Sequence, residues 1–367
     1  MGGFLISQEK DAQGKDAQMH IVLVTDAWKP QVNGVVRNYE CLIKVLEKRG
    51  HTVRVISPLE FKTIPCPTYP EISLSLFPKG RLKQLLDAER PDAIHIATEG
   101  PLGWAARSIC LERKWPFSTC YHSKFPEYIQ ERCGLPVGIS YSVLRKFHGA
   151  AKKTIVTNRE LEAELSGWGF ENLALRRMGV DQDIFKPMKN FDKTFLDHTL
   201  KLPRPIFVCH GRIAPEKNLK QFIEMQLPGT KIVIGPGPLL EKFRKKYPRD
   251  KFNTVFTGFL PDEEMVKYIA SADAFVFPSV TETFGFVQLE ALACGVPVAA
   301  LPVTGPKAVL GESPAGIMSD DLQQAALDVL KIKPEVCLER AKTFSWEDGA
   351  DDFLKCLHPL SKTKKSA

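Results

Sequence analysis

Two short runs decide the fold of this chain: His20-Ile-Val-Leu-Val-Thr25 and Thr52-Val-Arg-Val-Ile56. Both are apolar and rich in β-branched residues, which predicts two buried strands. Residues 35–49 between them have the apolar spacing that predicts a helix, and Gly50 marks its end. Strand, helix and strand in this order form a βαβ unit. The chain therefore opens with parallel strands of an α/β fold.

The same alternation continues in two series. In the first half, further strands are predicted over residues 93–96, 117–121 and 154–156, with helices at about 100–113 and near Glu160. In the second half, strands are predicted over residues 206–210, 231–234, 254–257, 274–277 and 296–300, each followed by a helical segment. Such alternation indicates doubly wound parallel sheets. We expect two Rossmann-like domains with a cleft between them.

The predicted boundaries lie where this alternation stops. Residues 1–18 are predicted to be a disordered tail. Residues 183–204 lack periodicity and contain Pro187 and Pro203, which predicts a linker. The remaining parts are an N-terminal domain at 19–182, a C-terminal domain at 205–344, a final helix at 345–360 and a Lys-rich tail at 361–367.

Composition limits the class of protein. The 367 residues are 44% hydrophobic and 25% charged, which suffices for a full core and about two domains. No stretch of about 18 apolar residues occurs, and the polar start does not fit a signal peptide, so we expect a protein that stays inside the cell. Nine cysteines include no Cys-x-x-Cys pair, which argues against a disulfide framework and a zinc site. The net charge of +7 suits nucleic acid, an anionic membrane or phosphorylated ligands alike.

The strongest local signal of function is Ser279-Val-Thr-Glu282-Thr-Phe-Gly285-Phe-Val-Gln-Leu-Glu290. Its two carboxylates are eight positions apart, one in the loop after a predicted strand and one inside the following helix. Gly285 lets a ligand approach the backbone, and the helix start presents N–H groups and a positive dipole end that suit phosphate. Glu290 is then expected to hold a ribose diol, and Glu282 a sugar hydroxyl or a developing charge. The plain alternative is two solvated glutamates.

This segment resembles the E-x7-E region of the retaining glycosyltransferases of family four, which have the two-domain GT-B fold. A second segment, Gly211-Arg-Ile-Ala-Pro-Glu-Lys217-Asn218, is similar to the family loop whose Arg and Lys grip the donor diphosphate. The resemblance assigns those roles to Arg212 and Lys217. Fixed cations there stabilise the negative charge that a leaving diphosphate gains. Alone, the loop would indicate only two surface cations.

The first loop also resembles the family. Asp26-Ala-Trp-Lys-Pro-Gln-Val-Asn33-Gly34 is similar to the loop in which a glycine meets the diphosphate and the acceptor comes close. The resemblance therefore implies Gly34 at the donor, and Asp26 and Asn33 at the acceptor. An ordinary Asn-Gly turn is the alternative.

A further segment, Tyr121-His122-Ser-Lys124-Phe-Pro-Glu-Tyr128, resembles the one whose His reaches the transferred sugar and the acceptor. It implies a catalytic His122 beside Glu282, and an acceptor contact by Lys124. His122 as a mere structural partner is the alternative. For the donor, the resemblance adds Leu260 in the base-contacting loop and Phe284.

A closer similarity is to bacterial mannosyl-, glucuronosyl- and sulfoquinovosyl-transferases that form glycolipids. It is carried by His95-Ile-Ala-Thr-Glu-Gly-Pro-Leu-Gly103 and by the Ser345-Trp346 helix. The similarity implies a lipid acceptor such as diacylglycerol and a C-terminal helix that crosses back to the N-terminal domain. Much of that subgroup has Asp where Glu282 stands and Arg where Lys124 stands, so the sugar stays open.

The resemblance also implies the reaction. A hexose or hexuronic acid would move from a UDP- or GDP-sugar with retained configuration, by front-face attack, while His122 orients the reactants. We expect no cofactor and no metal, because no Asp-x-Asp motif stands in a suitable loop and the cations Arg212 and Lys217 can neutralise the diphosphate.

Two basic segments predict contact with an anionic membrane. Residues 77–86 and 141–153 mix apolar residues with cations, and the second carries Arg145, Lys146, Lys152 and Lys153. Basic amphipathic helices of this kind can lie on anionic lipid. Ordinary packing helices with solvated cations are the alternative. We expect a cytoplasmic enzyme, peripheral on the inner face of the plasma membrane.

Three other functions compete. The acceptor could be a saccharide that is not a lipid. A nucleotide-sugar 2-epimerase would use the same fold, but its acid/base carboxylates and histidines are not evident in the sequence. A binding protein without catalysis is the third. Nucleic acid is not expected as a partner, because aromatic residues do not alternate with a basic stripe.

Overall fold

A computed structural model describes residues 17–31, 33–66, 69–187 and 194–360. Apart from Ala17 and Gln18, the predicted N-terminal tail lies outside the described residues, as does the basic tail at 361–367.

The first domain is built around a parallel sheet. The strands of this half are β1 His20–Val24, β2 Thr52–Ile56, β3 Thr63–Cys66, β4 Tyr69–Ser75, β5 Ala93–Ile96, β6 Ser118–Cys120, β7 Lys153–Val156 and β8 Leu173–Leu175. Six of them form the sheet in the order β2-β1-β5-β6-β7-β8. Ile21 and Leu23 pack on one face and Val22 and Val24 on the other, all buried. The run is apolar throughout because helices cover both faces of a parallel sheet.

The helices of this half are α1 Gly34–Lys48, α2 Lys79–Glu89, α3 Pro101–Glu112, α4 Phe125–Cys133, α5 Val137–His148 and α6 Arg159–Gly167. Helix α1 begins where the Asn33 side chain accepts hydrogen bonds from the backbone N–H groups of Val35 and Val36. Such a cap satisfies donors that have no partner within the helix.

The second domain repeats the plan. Its strands are β9 Ile206–His210, β10 Thr230–Ile234, β11 Thr254–Gly258, β12 Ala274–Phe277, β13 Val298–Ala300 and β14 Gly316–Met318. They form a parallel sheet in the order β11-β10-β9-β12-β13-β14. The remaining helices are α7 Phe195–Leu200, α8 Leu219–Glu224, α9 Leu240–Lys246, α10 Arg249–Phe252, α11 Asp262–Ala270, α12 Phe286–Ala293, α13 Thr304–Leu310, α14 Leu322–Asp328, α15 Pro334–Lys342 and α16 Trp346–Cys356. The predicted fold class, two Rossmann-like domains in the GT-B arrangement, is confirmed.

The structure differs from the sequence prediction at three places. Strands β3 and β4 form an antiparallel hairpin that was not predicted. The predicted linker contains helix α7, whose Leu196 is fully buried in the core of the second domain; its apolar residues are irregularly spaced and so gave no periodic signal. Helix α5 ends at His148, so Lys152 precedes β7 and Lys153 begins it. The predicted basic helix at 141–153 is therefore shorter, and these two cations do not lie on it.

The predicted crossing helix is confirmed. The chain leaves the second domain after α15 and returns as α16, which packs against α1 and β7 of the first domain. Phe353 is buried there, with its ring 4.9 Å from the His95 ring. On the solvent side, Arg49 of α1 forms ion pairs with Glu347 and Asp351 of α16. The C-terminus therefore completes the core of the N-terminal domain.

Within the described ranges, no helix combines the length and the apolar character that a membrane-spanning helix needs.

We expect Phe353→Ala to lower the free energy of unfolding by about 3–5 kcal/mol, because it leaves a cavity where α16 meets the first domain. Urea denaturation of the full chain measures this change. Lys355→Ala on the same helix is the control, since its side chain is 63% exposed and its ion pair with Asp352 is long, at 3.6 Å. Equal losses in the two variants would contradict the packing role of α16.

Candidate active site

Lys217 and Glu282 meet at the carboxyl edge of the second sheet. Lys217 ends a short 3-10 turn after β9, and Glu282 lies in the loop after β12. These strands are neighbours in the sheet, so their following loops lie side by side. The ammonium of Lys217 and the carboxylate of Glu282 form an ion pair. Two residues that are 65 positions apart in the sequence thus share one site, as the resemblance implied.

Arg212 stands beside this pair. Its guanidinium forms an ion pair with Glu216, a buried carboxylate one turn along the same loop. A small cavity of about 10 Å³ lies between the cations; Arg212, Lys217 and Ser279 are among the residues that line it. Pockets for small ligands are typically about 300–1,000 Å³. This cavity alone is therefore too small to hold a nucleotide sugar.

Glycines let the loops of this edge pack backbone against backbone. A Cβ on Gly235, after β10, would lie 2.1 Å from the carbonyl oxygen of Gly211. Gly285 has φ of +86° at the start of α12, a region that side chains disfavour. Gly34 begins α1 on the other side of the cleft, where an added Cβ would lie 3.7 Å from Phe286. The start of α1 therefore lies close to the start of α12.

Glu290 is buried with part of its hydrogen-bonding capacity unused. Its Oε1 lies 3.4 Å from a guanidinium nitrogen of Arg37, which reaches across from α1, and its Oε2 lies 3.7 Å from His210 Nδ1. Neither Glu290 Oε2 nor His210 Nδ1 has a hydrogen-bond partner among the described residues. Burial raises the pKa of Glu290, while the Arg37 charge opposes that rise. Buried polar atoms without partners indicate a place for a ligand's hydroxyl groups.

The sequence prediction did not include Arg37 and His210. Arg37 is three residues after Gly34 on the same helix, and His210 directly precedes Gly211, so both were adjacent to predicted site residues. Arg37 also forms an ion pair with Asp262 of the second domain at 3.0 Å. For Arg37 and His210, the position beside predicted site residues was the only sequence signal, since no motif contains them.

His122 belongs to a buried chain of hydrogen bonds. Its Nε2 is 2.9 Å from the Tyr39 hydroxyl, which is 2.8 Å from Nε2 of His95. His95 continues through Nδ1 to the Ser118 hydroxyl at 2.8 Å. The remaining nitrogen of His122, Nδ1, lies 3.7 Å from the Cys120 sulfur, a weak partner. Tyr39 thus holds one nitrogen of the ring firmly, and the other nitrogen makes only the weak thiol contact.

The His122 ring is neutral at physiological pH. Burial, with smaller contributions from Arg176 and His148, lowers the pKa of His122 to about 3. Arg176 is itself buried, and its guanidinium donates to the side-chain oxygen of Asn38. A fixed positive charge beneath the ring disfavours a second one. His122 is therefore suited to hydrogen bonding and not to donating a proton as an imidazolium.

Asp26 and Asn33 have other partners than the predicted acceptor. Asp26 is buried, and its carboxylate accepts hydrogen bonds from the backbone N–H groups of Leu102 at 2.8 Å and Gly103 at 3.1 Å. It thereby caps α3, and burial raises its pKa to about 6. Asn33 caps α1. Both side chains therefore cap helices in this structure, and their contact with the acceptor stays a prediction.

Three other predicted residues also have structural partners. The Phe284 side chain is buried in the core against Phe286, and its contact with the donor stays a prediction. Leu260 lies between β11 and α11 and packs partly against the same core. Lys124 donates to the Glu164 carboxylate at 2.7 Å and to the Thr304 hydroxyl of the second domain at 3.2 Å. Lys124 therefore joins the two domains at the mouth of the cleft.

The two Rossmann-like domains face each other across paired cations and carboxylates. This arrangement defines the class of protein, a glycosyltransferase of the GT-B fold. The family profile described as Glycosyltransferase Family 4 matches residues 32–184, and the profile described as Glycosyl transferases group 1 matches residues 204–332. The chain therefore belongs to the family 4 glycosyltransferases. The predicted family and enzyme class are confirmed.

Individual proteins agree with this assignment. The sulfoquinovosyl transferase of Arabidopsis thaliana is 30% identical over 306 residues, which are 78% of this chain and 60% of the length of the plant protein. The alpha-monoglucosyldiacylglycerol synthase of Streptococcus pneumoniae is 26% identical over 379 residues, covering 93% of this chain and 85% of that protein. Sucrose-phosphate synthase from Thermosynechococcus elongatus shares the fold, with a TM-score of 0.72 at 20% identity over 92% of this chain and 98% of that chain.

Tyr39→Phe keeps the buried ring and removes the hydroxyl that holds His122. We expect kcat to fall about fivefold, because one neutral hydrogen bond contributes about 1 kcal/mol, while the nucleotide Kd stays nearly unchanged. Nucleotide release and calorimetric titration measure the two quantities. Tyr247→Phe, which removes a hydroxyl bonded to Glu224 in the second domain, is the matched control. The same kcat in both variants would show that Tyr39 does not act through His122.

Proposed function

We propose that this enzyme transfers a hexose or hexuronic acid from a UDP- or GDP-sugar to a lipid hydroxyl, such as that of diacylglycerol, with retained anomeric configuration and without a metal. The observation that carries the proposal is the convergence of Lys217, Arg212 and Glu282 on one edge of the cleft. The partly unsatisfied carboxylate of Glu290 stands nearby.

The donor would bind mainly to the second domain. Glu290 has a buried oxygen ready to accept from a ribose hydroxyl, and His210 beside it can complete that contact. Arg212 and Lys217 would exchange their present carboxylate partners for the diphosphate, whose charge is higher and whose oxygens accept several hydrogen bonds. Glu282, released from Lys217, would then face the transferred sugar.

The reaction would proceed on one face of the sugar. The bond between the anomeric carbon and the leaving phosphate oxygen breaks, and a bond from the acceptor oxygen to that carbon forms. The acceptor proton passes to the leaving phosphate oxygen. Lys217 and Arg212 stabilise the charge that develops there, which supports transfer without a metal. His122 is neutral and held by Tyr39, so it would orient the sugar or the acceptor hydroxyl.

An apolar and basic surface on the first domain supports a lipid acceptor. Ile139, Val143 and Lys146 of α5 share one side of that helix and are exposed. Phe125 and Ile129 of α4 are also exposed. We define these five residues as the lipid face. Exposed apolar residues beside a cation fit the boundary between anionic headgroups and acyl chains.

The relatives support the same class of acceptor. The pneumococcal relative is named for the synthesis of a glucosylated diacylglycerol, and the plant relative for the transfer of sulfoquinovose, an anionic sugar. Lys124 at the cleft and the net charge of +7 are compatible with an anionic sugar. The test must therefore include both neutral and anionic donors.

The experiment is a donor and acceptor panel. The purified enzyme is incubated with UDP- and GDP-sugars, including uronic and sulfonated sugars, and with vesicles containing diacylglycerol, with and without a chelator. Mass spectrometry follows nucleotide release and lipid products. An α-linked glycolipid that also forms with the chelator present supports the whole proposal. Donor hydrolysis without a lipid product would contradict the lipid acceptor and favour a saccharide acceptor. The absence of any donor turnover would contradict the whole proposal.

Lys217→Ala tests the diphosphate contact. We expect kcat/KM to fall about a hundredfold or more, because a cation that stabilises developing charge is lost. Steady-state kinetics with the best donor of the panel measures the effect. Lys220→Ala is the matched control, since Lys220 is 63% exposed and three residues away. A loss below about threefold at Lys217 would contradict its role at the diphosphate.

Charge reversal tests the lipid face. Lys146 belongs to the lipid face, and Arg145 is the adjacent exposed cation of α5. Replacing both by Glu is expected to lower binding to anionic vesicles at least about tenfold, since each cation near the surface contributes about 1 kcal/mol. Vesicle sedimentation measures binding. Lys242→Glu with Lys245→Glu, on exposed positions of α9 in the second domain, removes the same charge elsewhere. Equal losses in the two double variants would mean general charge attraction and not a specific face.

A further inference from the structure

The loop that carries Glu282 is hydrogen-bonded to the first domain on both sides of that residue. Before it, the Thr281 carbonyl accepts from the Tyr128 hydroxyl at 3.4 Å. After it, Thr283 donates from its hydroxyl to the His122 backbone carbonyl at 2.7 Å, and its own carbonyl accepts from the Asn158 amide at 2.6 Å. Glu282 belongs to the second domain, yet both of its neighbours are held by the first.

The partners of Thr283 are themselves fixed. Asn158 is buried, its side-chain oxygen caps α6 by accepting from the Leu161 N–H at 2.8 Å, and its amide nitrogen also donates to the Thr157 hydroxyl at 3.1 Å. His122 follows β6, and its ring is held by Tyr39. Two rigid groups therefore determine where Thr283 stands. Thr283 has no freedom to adapt unless the domains separate.

These contacts differ from general packing between domains because they lie on both sides of one candidate site residue, Glu282. Consecutive Cα atoms are about 3.8 Å apart, so anchoring the residues on either side of Glu282 leaves its backbone almost no freedom. The Glu282 side chain then reaches back to Lys217 of its own domain. The position of the Glu282 carboxylate relative to the Lys217 ammonium is thus set by the first domain. Ordering a catalytic group in advance lowers the entropy cost at the moment of reaction.

We propose that Thr283 and Asn158 are positioning residues that lock Glu282 into its working place only when the two domains close. The inference rests on the proposed role of Glu282 and Lys217 at the donor. Glu290 and Arg212, the other side chains proposed to bind the nucleotide, belong to the second domain. Nucleotide binding therefore does not need the lock, whereas sugar transfer does. A donor bound to the open enzyme would stay intact until closure brings the acceptor side against it.

The test removes each hydrogen bond with little change of shape. Thr283→Val deletes the hydroxyl, and Asn158→Asp keeps the cap of α6 while removing the amide donor. For both, we expect kcat to fall about tenfold and the Kd for UDP or GDP to stay within about twofold. Thr283→Ser keeps the hydroxyl and should retain most of the turnover. Thr281→Val is the matched control, because Thr281 contributes its backbone carbonyl to the Tyr128 contact.

Amide hydrogen exchange separates this inference from the proposed function. In Thr283→Val and Asn158→Asp, the amides of residues 279–285 should exchange about tenfold faster than in the wild type and in Thr281→Val. This readout needs no turnover. Exchange or kcat in Thr283→Val equal to that in Thr281→Val would overturn the lock, as would a loss confined to nucleotide affinity. If no donor is turned over by the wild type, the proposed function fails while exchange still decides whether the lock exists.

Discussion

Parallel pairing of β9 with β12 is the constraint on which the site depends. All strands of a parallel sheet end at the same edge, so the loops after neighbouring strands cannot avoid each other. This places Lys217 beside Glu282 without any local sequence relation between them. The first domain obeys the same rule, which puts the loop after β6, and with it His122, at the edge that faces the second domain. The chemistry of the cleft follows from strand order before any individual contact is considered.

Several polar side chains of the first domain are buried beneath this edge. Tyr39, His95 and Ser118 form a continuous hydrogen-bonded chain, and Arg176 is buried nearby. Burying such groups is costly unless they are hydrogen-bonded, and a satisfied network in return fixes a single arrangement. The crossing helix α16 covers part of this network, since the Phe353 ring lies against His95. A helix from the far end of the chain thus supports the histidine chain of the first domain.

In the proposed mechanism, closure of the domains and completion of the site are one event. Lys124 bonds to Thr304, Arg37 reaches Asp262 and Glu290, and Thr283 bonds to the carbonyl of His122. Each contact joins a residue near the acceptor side to one near the donor side. A two-domain enzyme can bind its two substrates separately and still restrict reaction to the closed state.

The sequence alone determined the alternation of strands and helices and the family, because these are encoded in local periodicity and in short loops with fixed spacing; the donor roles of the cations and carboxylates in those loops stay predictions. It did not reveal that Asp26 and Asn33 cap helices, since a cap and a ligand contact use the same side-chain oxygens. Tyr39 and Arg37 were not predicted for another reason. No sequence motif marks either residue, and only the packing of α1 against distant strands and the opposite domain gives them partners. The tertiary structure decides such contacts because they join residues that no sequence pattern relates.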